Sequence, residues 1–188
     1  MRNYRGANLN VIWFLMAVNV LVFIVTVVSP DVIFLLGLQP ATLFHHPWTM
    51  ISNLFVHGGI SHIFANMISL YFLGSFVLRL VGEKRFLIVY FLGGIVGNLF
   101  FLLLADPFSI GIGASGAIFA LGGILVIMAP KLPVFIFFIP VPMPLWVAII
   151  IFLLISFMPG IAWQAHLGGF ILGLIAGQYF KRKRTHFH

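Results

Sequence analysis

The sequence predicts an all-α polytopic membrane protein of six transmembrane helices, with both termini cytoplasmic and one membrane-embedded domain over residues 1–188. Three observations predict it. Hydrophobic residues fill 62% of the 188 positions and charged residues only 7%, with a mean hydropathy of +1.19, far outside the balance of a soluble domain. Six apolar stretches reach or approach the roughly 17–25 residues that carry a helix across about 30 Å of hydrocarbon. Finally, every Lys and Arg falls at the same alternate set of stretch ends.

The stretches lie near 10–28, 62–80, 86–104, 115–129, 143–158 and 163–180, the fourth and fifth being short. The first follows Arg2 and Arg5 as a signal peptide would, but ends at Val28-Ser29-Pro30 without a small-x-small cleavage site, so it reads as a retained span. The segment 29–61, from His45-His46-Pro47-Trp48-Thr49 to His57-Gly58-Gly59, is too mixed to span and is expected to lie as a loop in the outer interface. Between spans four and five, Pro133, Pro140, Pro142 and Pro144 flank Val134-Phe135-Ile136-Phe137-Phe138-Ile139 and forbid helix, which predicts an irregular or short extended connection.

Orientation follows from the cations, which stay on the cytoplasmic side of a membrane. Arg2 and Arg5 precede span one, Arg79, Lys84 and Arg85 join spans two and three, Lys131 follows span four, and Lys181, Arg182, Lys183 and Arg184 follow span six. The opposite loops hold Asp31 and Asp106 and no cation, so 29–61, 105–114 and 159–162 face outward. The net charge of +7 is thus read as topology and attraction to anionic lipid, with no nucleic-acid partner. The absence of cysteine excludes disulfides, thiol catalysis and thiolate metal sites.

Polar side chains in lipid are costly, so each Ser, His or Asn within a span is a functional candidate. His62, Asn66 and Ser69 share one face of span two. Ser115 opens span four on the face of Phe119, Gly122 and Gly123. His166 shares its face of span six with Gly169, Gly173 and Gly177, small residues at four-residue spacing that allow tight helix contact. At about 1.5 Å per residue from the nearest cytoplasmic charge, Ser115, His166, Asn66 and His62 come out at roughly 24, 22, 20 and 26 Å, one level several ångströms below the outer surface.

A serine hydroxyl is a weak nucleophile until a neutral imidazole accepts its proton, and the developing oxyanion then needs fixed donors. Ser115 fits the nucleophile and His166 the base, while His62, Asn66 and the Ser115 backbone amide fit the oxyanion donors. Gly113 and Gly116 support the turn into span four, and Phe119, one turn below Ser115, can pack on the imidazole. The only acids, Asp31, Glu83 and Asp106, lie off the spans near that level, so the pair is a dyad, and the same count removes a paired-aspartate intramembrane protease. No H-E-x-x-H is present, which removes a zinc protease. Taken singly, each residue has a structural alternative: a membrane Ser or His can bond a carbonyl, and small-residue ridges are mostly packing devices.

Gly113-Ala114-Ser115-Gly116 opening a span, His62-x-x-x-Asn66 on an earlier one, and His166 followed by Gly168-Gly169 and Gly173 on the last resemble the rhomboid intramembrane serine proteases, as does Glu83-Lys84-Arg85-Phe86 leading into Tyr90-Phe91-Leu92-Gly93. The resemblance covers roughly residues 45–180. It implies a six-helix rhomboid-like bundle whose serine helix starts in a water-filled cavity open to the outside. It also implies hydrolysis of single-span or multi-span membrane protein substrates near the outer end of a transmembrane segment, through an acyl-enzyme on Ser115, with no cofactor and no metal, in the cell membrane. Two departures stand out: Trp48-Thr49 replaces a Trp-Arg pair, and Phe119 replaces a tyrosine. Span five, bounded by Pro144 and Pro159, is the candidate gate, with Trp146, Phe152 and Phe157 as moving side chains. The rival readings are a non-catalytic member of the same fold that binds membrane proteins for quality control, a transporter, disfavoured by scarce intramembrane charge and no repeat between the halves, and a metal site from His45, His46, His57 and His62.

Overall fold

The computed structural model describes residues 8–136 and 139–185; the expectations resting on Arg2, Arg5, Phe137 and Phe138 lie outside the described residues. The chain is mostly helical. Helix α1 (Asn10–Val28) leads to α2 (Val32–Leu36), a 3-10 turn at Pro40–Thr42, α3 (Thr49–Ser52) and a second 3-10 turn at Asn53–Phe55. There follow α4 (Ile60–Val81), α5 (Glu83–Leu104), α6 (Ser115–Met128), a hairpin of β1 (Pro133–Ile136) and β2 (Ile139–Pro144), α7 (Leu145–Ile155) and α8 (Trp163–Thr185).

Among the described residues, α1, α4 and α5 are long and apolar enough to cross a membrane, whereas α6 and α7 are apolar but shorter. Large side chains stay exposed along these helices, Phe14, Leu21 and Val28 on α1 and Phe64, Phe72 and Phe76 on α4 among them. Such a surface is stable only against an apolar solvent, so the molecule is a membrane protein. Helix α8 keeps its helical bonds well beyond residue 180, out through Thr185, because nothing in Lys181-Arg182-Lys183-Arg184 breaks helix and the cations favour its C-terminal end.

The strictly all-α expectation needs one correction. The proline-rich connection is an antiparallel two-stranded ribbon, pairing Pro133 with Pro144, Val134 with Met143 and Ile136 with Ile139 across a bulge. Proline fixes φ in the extended range and lacks an N–H, which suits an edge strand and excludes helix. Pro142 and Pro144, alternating along β2, leave fewer donors for any further strand.

Helix α6 is the axis of the packing. At 14 residues it is about 21 Å long, and its side chains from Gly116 to Leu125 are buried apart from Phe119. It can be short because protein covers it on all sides: α4, α5, α7 and α8 all pack against it. Glycines set these distances. A Cβ on Gly169 would collide with the Gly116 carbonyl and one on Gly173 with the Ala120 carbonyl, while one on Gly123 would sit 2.6 Å from the Phe170 carbonyl. The small-residue ridges of α6 and α8 therefore interlock backbone to backbone, as lipid-embedded helices do where side chains are absent. Gly122 turns elsewhere, to Ile149 of α7. On the α5 side, Gly93 meets Ala120 and Gly97 meets the Ala165 carbonyl.

The segment 29–61 and the loop 105–114 are sewn together at one end of the bundle. Leu38 and Gly111 exchange both backbone bonds, at 2.9 and 2.7 Å, the Gly113 N–H donates to the Asn53 carbonyl at 2.9 Å, and the Ala41 N–H donates to the Pro107 carbonyl at 3.0 Å. The long segment is thus a folded cap with its own helical turns.

Candidate active site

Three helix starts converge under this cap. Ser115 is the first residue of α6, His62 lies in the first turn of α4 and His166 in the first turn of α8. The Nε2 of His166 is 2.7 Å from the Ser115 Oγ, and His166 is buried. On the other side of the imidazole, Nδ1 lies 2.6 Å from the Oγ of Ser156, the C-cap that follows α7. Phe119 lies face to face on the ring, with centroids 4.4 Å apart and planes 25° from parallel. The imidazole is therefore held at both nitrogens and on one face.

Gly113 shapes the approach to Ser115. Its φ of +115° is a conformation that side chains rarely adopt, and a Cβ there would stand 2.7 Å from the His62 Nε2 and 3.6 Å from the Ser115 Oγ. The missing side chain leaves room for the His62 ring beside Gly113, on the side of Ser115. Helix α6 begins with Ala114 as its N-cap and no side-chain cap, so the amides of its first turn remain available as donors. Gly116 serves the α8 contact more than the turn: a Cβ there would meet the Ala165 carbonyl at 3.3 Å.

Asn66 is buried and donates from Nδ2 to the His62 carbonyl one turn back, at 2.9 Å. His57 lies against His62, ring centroids 4.9 Å apart at 64°, and its Nδ1 faces the Phe55 carbonyl at 3.3 Å. Burial and the neighbouring His62 push the His57 imidazolium down to about 4, although the Phe55 carbonyl and the Asn66 amide favour the proton. His45 and His46 stay in the cap, His46 against Trp48 with centroids 5.0 Å apart, and among the described residues no group of three His, Cys, Asp or Glu could hold a metal ion.

The cap is seated without the arginine that Thr49 replaces. Trp48 Nε1 donates to the Leu35 carbonyl at 2.9 Å, Thr49 Oγ1 to the His46 carbonyl at 2.6 Å and Ser52 Oγ to the Leu36 carbonyl at 2.7 Å. The amides of Asn53 and Asn98 bond each other at 2.9 Å, and Asn98 also donates to the Met50 carbonyl at 2.9 Å. Both asparagines line a small cavity beside Ser115, together with Gly111, Gly113, Ala162 and Ala165. Asn53, Asn98 and Ser156 were not singled out in the sequence. Asn98 and Ser156 carried the available signal, a polar residue within an apolar stretch, but neither repeats along a helix face as His62, Asn66 and Ser69 do.

The fold and the site define a helical membrane protein in which a half-buried serine at the start of an enclosed helix meets a buried histidine in the first turn of another. The rhomboid domain family matches residues 45–183, and the chain belongs to the rhomboid family, whose members are generally intramembrane proteases. It is 33% identical over 132 residues to RHOMBOID-like protein 5 of Arabidopsis thaliana, covering 69% of this chain and 43% of that protein. It is 29% identical over 153 residues to the mitochondrial Rhomboid protein 1 of Saccharomyces cerevisiae, covering 71% and 42%. It is 31% identical over 128 residues to Inactive RHOMBOID-like protein 8 of Arabidopsis thaliana, covering 68% and 36%. The matched region is thus less than half of each of these relatives' length.

Proposed function

We propose that this chain is a serine endopeptidase that hydrolyses peptide bonds in or near the outer end of substrate transmembrane segments, through a dyad of Ser115 and His166. The observation that carries this reading is the 2.7 Å approach of Ser115 Oγ to His166 Nε2 at a helix start. A neutral imidazole there accepts the hydroxyl proton as Oγ attacks the scissile carbonyl. The oxyanion forms next to the Ser115 amide, with His62 and Asn66 as the further donors, His62 being favoured by its reach past Gly113. His166 then gives its proton to the leaving amine, and a water, activated by the same imidazole, hydrolyses the acyl-enzyme on Ser115. The polar residues around the cavity beside Ser115 support water reaching this depth.

The same reading takes α1, α4, α5, α6, α7 and α8 as six spans of one domain in the cell membrane, both termini cytoplasmic and the cap outside. Packing supports this for α6, which α4, α5, α7 and α8 surround, so that it need not match the full bilayer. Helix α7 is the lateral gate for single-span or multi-span membrane protein substrates, since it is 11 residues long, exposes Trp146 and Phe152, and is followed by the exposed Phe157. A substrate helix hides its carbonyls in its own ladder, so segments weakened by Gly or Pro are the preferred substrates.

The test is cleavage of a single-span substrate in proteoliposomes by wild type, Ser115→Ala and His166→Ala, with and without chelator. Both variants are expected to lose at least about 10³-fold in rate, with the chelator without effect. Cleavage by Ser115→Ala at the wild-type rate overturns the reading, and wild type that binds the substrate but never cuts it favours the non-catalytic, quality-control alternative.

A further inference from the structure

We infer that Ser156 is a positioning residue that holds His166 in its base-competent tautomer and makes that tautomer depend on the docking of α7. The inference rests on the dyad reading above and extends it to the residue that orients the base.

A neutral imidazole carries one proton, and only the form protonated at Nδ1 leaves Nε2 free to accept from Ser115. The chain has no acid at this place to enforce that form. Ser156 does so through the single proton of its own hydroxyl. Its Oγ lies 2.8 Å from the Phe152 carbonyl, one turn back in α7, and 2.6 Å from His166 Nδ1. A carbonyl can only accept, so the Ser156 proton goes to Phe152 and the Oγ is left as acceptor towards Nδ1–H. The chain of donors then runs in one sense, from Ser115 Oγ–H to Nε2 and from Nδ1–H through Ser156 to the Phe152 carbonyl. The opposite tautomer would leave the buried Phe152-bonded hydroxyl without its donor, since Ser156 is almost wholly buried and no solvent replaces the bond.

Ser156 is the C-cap that follows α7 and His166 lies in the first turn of α8, so the bond crosses the α7–α8 junction. Phe157 stacked on Trp163, with centroids 5.2 Å apart, is the adjoining link across the same junction. If α7 swings away, the acceptor for Nδ1–H leaves with it, and the base loses its orientation until α7 returns. A neutral hydroxyl sets direction but adds no counter-charge to the imidazolium, which separates it from the acid of a triad.

The experiment compares wild type, Ser156→Ala and Ser156→Thr in lipid nanodiscs. It reads kcat and KM on a single-span substrate, the thermal midpoint, and the 15N shifts of His166 in protein labelled at histidine nitrogen, assigned with His166→Ala. Expected are a protonated Nδ1 in wild type, a mixture of tautomers in Ser156→Ala with kcat down about 10- to 100-fold at unchanged KM, and recovery of both in Ser156→Thr. Ser156→Ala with wild-type kcat, or wild-type His166 protonated at Nε2, overturns the inference. If Ser156→Ala fails to fold, the wild-type and Ser156→Thr tautomers still decide it. Wild type that shows Nδ1–H but no hydrolysis leaves the positioning intact and sinks the protease reading instead.

Discussion

His57 illustrates how a single residue beneath the cap ties stability to pH. It is 1% exposed and its imidazolium is pushed down to about 4, first by burial and then by His62. In the unfolded chain a histidine titrates near about 6.5. Between these values the unfolded chain binds a proton that the folded chain refuses, so stability is complete above about pH 6.5 and is lost as pH falls towards 4. Thermal midpoints in detergent should therefore drop across that window and level off below it, with a shallower drop in His57→Gln; equal slopes would refute the account. His57 was open to a metal reading in the sequence, because a histidine near another histidine has the same letters whether it ligates or packs. Ser115 and His166 were legible because a hydroxyl and an imidazole in apolar helices have few inexpensive reasons to be there. Ser156 was not, because its function depends on a contact across the α7–α8 junction that no spacing encodes.

At the scale of elements, the α6–α8 seam decides whether the proposed dyad can form, since each helix contributes one half. Gly169→Val would drive a branched side chain into the Gly116 carbonyl, one turn from His166. Overpacking of this kind costs about 1–3 kcal/mol or more, so the thermal midpoint should fall and cleavage should vanish even though no reacting group is touched. Gly59→Ala is the matched control: nothing lies within 4 Å of a Cβ there, and midpoint and activity should stay at wild-type values. The glycine spacing on spans four and six made this seam readable in advance, because only backbone proximity explains small residues repeated along a lipid-embedded face. The proposed gate is the complementary case. The chain lacks cysteine, so an introduced cysteine pair joining α7 to α4 is the only disulfide that can form. Its oxidation should stop cleavage of a transmembrane substrate and its reduction should restore it; cleavage undiminished by the crosslink would remove α7 from that role.

Across the whole molecule, the helix boundaries were legible to within a few residues, α1 and α6 most closely, because Pro, Gly and charge punctuate the apolar runs. The proline-rich ribbon was legible as non-helical, but its pairing was not, since register is set by contacts across a turn. The folded cap was the least legible part: its helical turns are held by long-range backbone bonds such as Leu38 to Gly111, which leave no periodic trace. The cations imply a sidedness that the cysteine-free background makes testable residue by residue. Phe108 is exposed in the loop that joins the cap, and Lys131 is exposed at the far end of α6, before the ribbon. Insertion retains cations on the cytoplasmic side, so the proposed six-span arrangement puts these two positions on opposite sides of the membrane. In intact bacterial cells expressing the chain, a membrane-impermeant maleimide should label Phe108→Cys at once and Lys131→Cys only after permeabilisation. Labelling of Lys131→Cys in intact cells with Phe108→Cys protected would invert the protein, and would put the Ser115 end of the bundle on the cytoplasmic side. Equal labelling of both without permeabilisation would mean that α6 does not traverse the bilayer, and the six-span reading would fall with it.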